Sequence, residues 1–571
     1  MGLESSSNQP ESEFGFSRKD FLIGLVFLSL LSLQFLWAVH LNKQLYQEHG
    51  PFYDSLSYNW ELADDYHHIF EGDWNTALNK VLHRTNGMLP QLVLLPLASV
   101  FGYTRIAGIF IQSVGLLFLA ISLYTYFRTV HRRERWFAVI LSLPFLSLGS
   151  IYNFNGGLSN FRMDLFLYLG TACSACWYLI ARDRPGERWR WIVLGICASD
   201  TILTRGTAPI YLLIMLAPVF LMDVLFARED RKRFQSLLIG ASLTALIGIV
   251  ACAWYFILNF DRLYYYYFIW NADANAHLPL SLSKTHIQFL FFHVGYPILY
   301  SACTVAFFSC VWLLFRQPKA LARVVRLELA ALWLCAAPLL FLVFRGAGLN
   351  PFVSMPAAFG MVLGLMIPIA SARFRKNFRI VMSAILTIAC LISAATGVKK
   401  HHQPDINNAA AYSKIRSLME EDVLPSKHEV SFGSYTCGWA TGGAFRNYLL
   451  FDAGYFLTSE GLVKNNLMVT IHDLSPAVLV DWEKYQGTND QERLHSLAYK
   501  LLTQADYILI PESETIDFLK NQLSFNYVNR FADQITEILL NSGQLELVSG
   551  DALLVFNPNE KFRLYRNNST R

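Results

Sequence analysis

The stretch WIVLGICASDTILTRGTAPIYLLIMLAPVFLMDVLF, residues 191–226, decides how this chain is threaded. A hydrocarbon core of about 30 Å is crossed by about 20 helical residues at about 1.5 Å each, so the stretch is too long for one crossing. Read as two segments, 191–204 and 207–226, it forms a hairpin whose tight turn is Arg205-Gly206. That reading sets the direction of everything downstream, and the placement of positive charge tests it.

Applied outward, the same length criterion finds about eleven spans. They are 21–39, 103–127, 136–151, 162–181, 191–204, 207–226, 235–259, 287–315, 328–344, 353–371 and 378–397. The first has no small-x-small cleavage site before Lys43 and reads as a retained anchor. Alternate connections are basic: Arg132, Arg133 and Arg135; Arg182, Arg184, Arg188 and Arg190; Arg228, Arg231, Lys232 and Arg233; Arg316, Lys319, Arg323 and Arg326; Arg373, Arg375, Lys376 and Arg379. All then share one side with the N-terminus, which the positive-inside tendency makes cytoplasmic. Fusing 191–204 with 207–226 would spoil that pattern.

Composition sets the class. Hydrophobic residues at 54% and charged residues at 16%, with a mean hydropathy of +0.32, exclude an ordinary soluble protein. Aromatics at 15% and only 20 prolines exclude a disordered chain. A net charge of +4 from 47 basic and 43 acidic residues leaves no nucleic-acid footprint. Of the 9 cysteines only Cys437 lies outside an apolar run, so the polar C-terminal region has no internal disulfide. Cys173-x-x-Cys176 sits mid-span without a second pair, which argues against a metal or redox site.

Three parts fall on the outer face. Loop 40–102 is longer than a connection between helices needs. The stretch 260–286 carries Tyr264, Tyr265, Tyr266, Tyr267 and Trp270, an interfacial belt. After residue 398 the chain turns polar. There, Ala409–Glu420, Gln491–Thr503 and Thr515–Leu523 have helical spacing, Asp506–Pro511 reads as a buried strand, and Leu545–Val548 with Ala552–Phe556 as a hairpin. No Gly-rich loop follows a strand there, which argues against a nucleotide site. The expected organisation is a cytoplasmic tail over 1–20, an all-α polytopic membrane bundle over 21–397, and an extramembrane α/β domain over 398–571.

Chemistry is sought where charge meets the membrane edge. Loop 40–102 holds Asp54, Glu61, Asp64, Asp65, Glu71 and Asp73 with no Lys or Arg among them between 54 and 73. Most fit a solvated acidic loop, but Asp54 lies in an aromatic segment beside the first span, where desolvation tunes a carboxylate as a base. His67 and His68 beside Asp64 and Asp65 are of metal-binding type, yet adjacent side chains diverge on a helix and no third ligand is spaced to join them. No metal is therefore assigned, and no ligand set supports a divalent cation. Asn160-Phe161-Arg162-Met163-Asp164 places a cation and an acid where a span begins, which suits either an outer-leaflet cavity or a local ion pair. Asp200 with Arg205 poses the same choice. Arg345, before Gly346-Ala347-Gly348, is a candidate for gripping an anion with its guanidinium fork.

The order of these parts is diagnostic: an Asp after the first span, a long outer loop, R-x-D at the fourth span, Thr204-Arg205-Gly206 after Gly195, a basic residue before a span start near Pro356, and an outer α/β domain. It resembles the GT-C superfamily of integral-membrane glycosyltransferases, in the bacterial branch similar to protein mannosyltransferases and the lipid A aminoarabinose transferase. The resemblance covers about residues 18–400 in layout. It implies an inverting transfer of a sugar from a polyprenyl-phosphate donor in the outer leaflet to an acceptor glycan, lipid or protein, in a bacterial inner membrane with the C-terminal domain periplasmic. Asp54 would be the general base, and Asp164, Arg205 and Arg345 would serve the donor phosphate. Two positions depart from the family pattern: Asp-Glu is replaced by Asp54-Ser55, and the usual Lys by Arg205.

The chemistry is coherent without the family. A lipid-phosphate leaving group needs positive charge, and a hydroxyl acceptor needs a base on the opposite side of the sugar. Two other readings are a transporter or flippase for a lipid-linked or polar solute, against which the lack of an internal repeat weighs, and a catalytically silent scaffold on the same fold.

Overall fold

In the computed structural model the described residues are 18–48, 54–101, 105–152, 157–158, 161–270, 376–399, 408–422 and 428–570, with breaks at 437, 439, 454, 466, 475–489, 523–526 and 549–552, together with Trp333, Val362 and Leu363. The expected spans 287–315, 328–344 and 353–371, and Arg345, lie outside them.

Five described helices are long and apolar enough to cross a membrane. They are α1 (Arg18–Glu48), α5 (Arg105–Thr129), α7 (Met163–Asp183), α9 (Ala208–Phe226) and α10 (Arg231–Leu258). The shorter helices α6 (Arg135–Leu146) and α8 (Arg188–Thr204) complete this part of the bundle. The stretch 191–226 is indeed two helices. Arg205 is extended, at φ −143° and ψ 121°, and Pro209 near the start of α9 is preset for the helix that follows.

In the core of the bundle α7 lies between α5 and α8. Lipid tails are as apolar as Leu, so close backbone approach rather than the hydrophobic effect drives this packing. Gly170 provides it: a Cβ there would fall onto Thr201 Oγ1 of α8. One end of the bundle is tied by ion pairs, Arg135 with Asp20 at 2.8 Å and Arg182 with Asp223 at 2.6 Å.

The opposite end carries the connection between α1 and α5, named the outer loop for its expected side and folded as α2 (Asp54–Phe70), α3 (Trp74–Leu82) and α4 (Met88–Phe101). Asp73 caps α3 by accepting from the Thr76 amide at 3.1 Å. Past Tyr264, where a second short helix (α11, Phe260–Tyr264) ends, the aromatic stretch continues as a π-helical turn, Tyr265–Trp270. One further apolar helix, α12 (Lys376–Lys399), is described before the C-terminal part.

That part is built on a mixed sheet. Its strands are β1 (Glu429–Ser434), β2 (Phe456–Leu457), β3 (Leu462–Lys464), β4 (Leu467–Asp473), β5 (Tyr507–Pro511), β6 (Leu545–Leu547), β7 (Leu554–Asn557) and β8 (Glu560–Asn567). The order is β2-β3-β4-β1-β5-β8-β6, with β7 also on β8. β1 runs parallel to β4 and β5, and parallel neighbours require crossovers. The helices α14 (Gly442–Phe451) and α15 (Asp490–Gln504) occupy them, while α13 (Asn408–Asp422) leads into β1.

The expected hairpin between 545–548 and 552–556 does not form. Both segments pair with β8 instead, Leu545 opposite Asn567 and Leu554 opposite Phe562. The long strand β8 offers one continuous edge, so two short strands lie along it end to end. At the head of α14 the chain does run from a strand into Gly442-Gly443, but Asp473 accepts the Gly443 amide at 2.7 Å and Ser434 the Gly442 amide at 2.6 Å. The protein's own oxygens fill the place where an anion would sit.

Candidate active site

Asp164 opens the first turn of α7, where the helix dipole favours an acid. Its carboxylate is fully buried and lies between two guanidiniums, Arg162 Nε at 3.2 Å and an Arg205 Nη at 3.2 Å. One negative charge thus faces two positive ones. Arg205 Nη1 is buried with no hydrogen-bond partner among the described residues. Of the expected alternatives for Arg205, the pair with Asp200 does not form; the partner is Asp164, on the neighbouring helix.

The Arg205 turn is stitched to the outer loop. Asn86 and Arg205 form an isolated antiparallel bridge, and the Gly87 amide donates to Thr204 O at 2.8 Å. Gly87 has φ +75°, and a Cβ on it would stand 2.7 Å from Met163 Sδ, so only glycine allows this approach to the head of α7. Tyr267 donates to Asn86 Oδ1 at 2.6 Å, and its ring lies against Gly206. Tyr58, Tyr266 and Tyr267 are all electrostatic neighbours of Arg205. Part of the aromatic stretch expected to be an interfacial belt is therefore turned into this site, although Tyr264 remains exposed.

Helix α2 covers the site. Tyr58 and Leu62 pack with Phe161 and Met163 at the head of α7, and the Tyr58 and Phe161 rings meet edge to face. Asp54 is the first residue of α2, one turn before Tyr58. Backbone periodicity places the two on one helical face.

The next face of α2 binds Arg84. This guanidinium donates to Asp65 Oδ1 at 2.8 Å and lies 3.4 Å from Glu61, and Gln91 donates to Glu61 at 2.8 Å. Burial pushes the Asp65 carboxyl up to about 7, outweighing the opposite pull of Arg84.

The third face meets the C-terminal domain. Ala63 belongs to that domain's hydrophobic core, and Trp60 packs against it. The Arg446 guanidinium of α14 lies 3.7 Å from the centroid of the Trp60 ring. Burial pulls Arg446 down to about 10, while Asp473 and Asp64 pull it up. Arg105 at the head of α5 pairs with Asp452 just past α14 at 3.1 Å.

The histidines serve local contacts: His67 lies 3.3 Å from Glu71, and His68 Nε2 lies 2.7 Å from Lys80 Nζ. Among the described residues no group of three or more His, Cys, Asp or Glu side chains is placed to hold a metal ion. Sequence reasoning singled out Asp54, Asp164 and Arg205 but missed Tyr58, Asn86 and Arg446. The one available signal, aromatics flanking a charged membrane edge, is common in such proteins.

A bundle of apolar helices, a helical loop packed over buried charges, and a mixed α/β domain seated on that loop make up a fold shared with solved membrane-protein structures. The solved structures that share it include ArnT from Cupriavidus metallidurans bound to undecaprenyl phosphate, with 11% identity, 96% of this chain and 98% of that chain covered, and a TM-score of 0.52. The apo state of the same protein gives 12%, 97%, 99% and 0.51. The apo oligosaccharyltransferase of Archaeoglobus fulgidus gives 12%, 89%, 71% and 0.51. No family model matches the chain, and neither does any curated protein sequence. It is an integral membrane protein with the fold of these transferases.

Proposed function

We propose that this protein is a membrane glycosyltransferase that moves a sugar from a polyprenyl-phosphate carrier to an acceptor hydroxyl at the outer face of the membrane. The observation that carries the reading is the Arg205 guanidinium, held on the buried carboxylate of Asp164 with its Nη1 unpartnered among the described residues. A phosphate anion, on the donor or on the polyprenyl phosphate that leaves, complements that unpartnered donor group. The likeness to a protein crystallised with undecaprenyl phosphate adds to it. Arg345 is a further cation of the proposed phosphate site.

Asp54 takes the acceptor proton. The acceptor oxygen then bonds to the anomeric carbon from the face opposite the carrier, the bond from that carbon to the phosphate oxygen breaks, and polyprenyl phosphate leaves with the electron pair. Configuration inverts. The arginines offset the charge that develops on the leaving oxygen. In this reading the N-terminus is cytoplasmic and the C-terminal domain lies in the periplasm of a bacterial inner membrane, an orientation that the distribution of basic connections supports.

The test is release of polyprenyl phosphate from a panel of polyprenyl-phosphate sugars by the reconstituted protein. Wild type turns over, and Asp54→Asn loses about 100-fold or more while still binding the donor. A wild type that carries the lipid-linked sugar across the bilayer without cleaving it overturns the reading in favour of transport.

A further inference from the structure

The C-terminal domain grips the helix that begins with the proposed base. Helix α2 has no covalent reason to be rigid, since it sits in a long loop between two spans. Three contacts fix it: Tyr58 and Leu62 on the head of α7, Asp65 and Glu61 on Arg84, and Trp60 with Ala63 on the C-terminal domain. The first two come from the membrane bundle and the outer loop itself. The third comes from α14 and includes the stacked pair of Arg446 and Trp60.

The Arg446 Nε is buried and has no hydrogen-bond partner among the described residues. A guanidinium so placed gains from the face of the Trp60 ring, alongside the attraction of Asp473 and Asp64. The same short helix ends beside Asp452, whose pair with Arg105 holds the domain to the head of α5. Both ties therefore come from one helix, Arg446 at its middle and Asp452 at its C-terminal cap. The head of α14 is in turn locked to the sheet by Asp473 and Ser434 and capped by its own Thr441.

We infer that Arg446 is a positioning residue, acting through its stack on Trp60 to hold α2 so that Asp54 meets the acceptor hydroxyl. This rests on the transferase reading for the role of Asp54, though the clamp itself does not. Arg446 touches neither reacting group, so its loss changes turnover rather than donor binding. A small misplacement of a base costs rate steeply.

The experiment uses the full-length reconstituted protein with Arg446→Ala, Arg446→Lys, Trp60→Ala and the Arg446→Ala/Trp60→Ala double variant. Turnover is measured with the polyprenyl-phosphate sugar that the wild type cleaves, and hydrogen exchange is followed in α2. Arg446→Ala is expected to lower kcat about 10- to 100-fold with donor KM within about twofold, and to speed exchange across α2. Arg446→Lys, which keeps a cation over the ring, recovers most of both. Trp60→Ala matches Arg446→Ala, and the double variant adds nothing further.

An unchanged kcat, a raised KM with kcat intact, unchanged exchange in α2, or a lysine variant as impaired as alanine each overturns the inference. A wild type that releases no polyprenyl phosphate, with exchange in α2 still faster in Arg446→Ala, sustains the clamp and removes the transferase reading instead.

Discussion

Asp164 and Arg205 meet at 3.2 Å between the head of α7 and the end of α8, with the carboxylate fully buried. The pair joins two helices, and Arg162 lies on the same carboxylate at 3.2 Å.

Arg205→Ala should cost about 3 kcal/mol of stability, toward the low end for orphaning a buried ion because Arg162 remains on Asp164. It should also weaken polyprenyl phosphate binding about 10-fold or more. Arg205→Lys keeps the charge without the fork and should fall between. Unfolding in detergent and a binding titration check both. Unaltered lipid-phosphate affinity in the alanine variant would remove Arg205 from the site.

Gly87→Ala should destabilise the outer loop by about 1–3 kcal/mol, through the left-handed φ and the collision with Met163. Met163→Ala added to it should relieve only the collision. A double variant as stable as wild type would show that the backbone conformation contributes nothing.

Asp65 gives stability a pH dependence of known sign. Its carboxyl is raised from 3.8 to about 7 in the folded protein. Between those values the unfolded chain has released the proton that the folded one retains, so stability falls as pH rises through the window. Asp65→Asn should flatten that fall between pH 4 and 7. Thermal midpoints across the range measure it, and equal slopes in both proteins would refute the assignment.

Gly170→Ala should cost about 1–3 kcal/mol by forcing α7 away from Thr201. Thr201→Ala in the same chain should recover part of the loss. If Gly170→Ala is neutral, the two helices are less closely packed than the structure has them.

The charged residues of the site were legible because charge inside an apolar run stands out by its desolvation cost. Asp164 and Arg205 are visible for that reason. Their pairing was not, since sequence proximity favoured Asp200, whereas the turn of α8 carries Arg205 toward α7. Arg446 and Trp60 look ordinary in sequence, one within an apolar segment of the C-terminal domain and the other in an acidic loop. The hairpin expected at 545–556 failed because strand propensity is local while the choice of partner belongs to β8.

The spans that fall on described residues, the hairpin at Arg205-Gly206 and the change to a polar α/β domain follow from the sequence alone. Each depends on a run of neighbours, about 20 apolar residues or a period of alternation, and such runs are read in one dimension. Which charges meet, which tyrosines turn inward and which domain holds α2 were decided only by the tertiary structure. Hydrogen bonds and ion pairs act over about 3 Å, between residues that only the packed chain brings together.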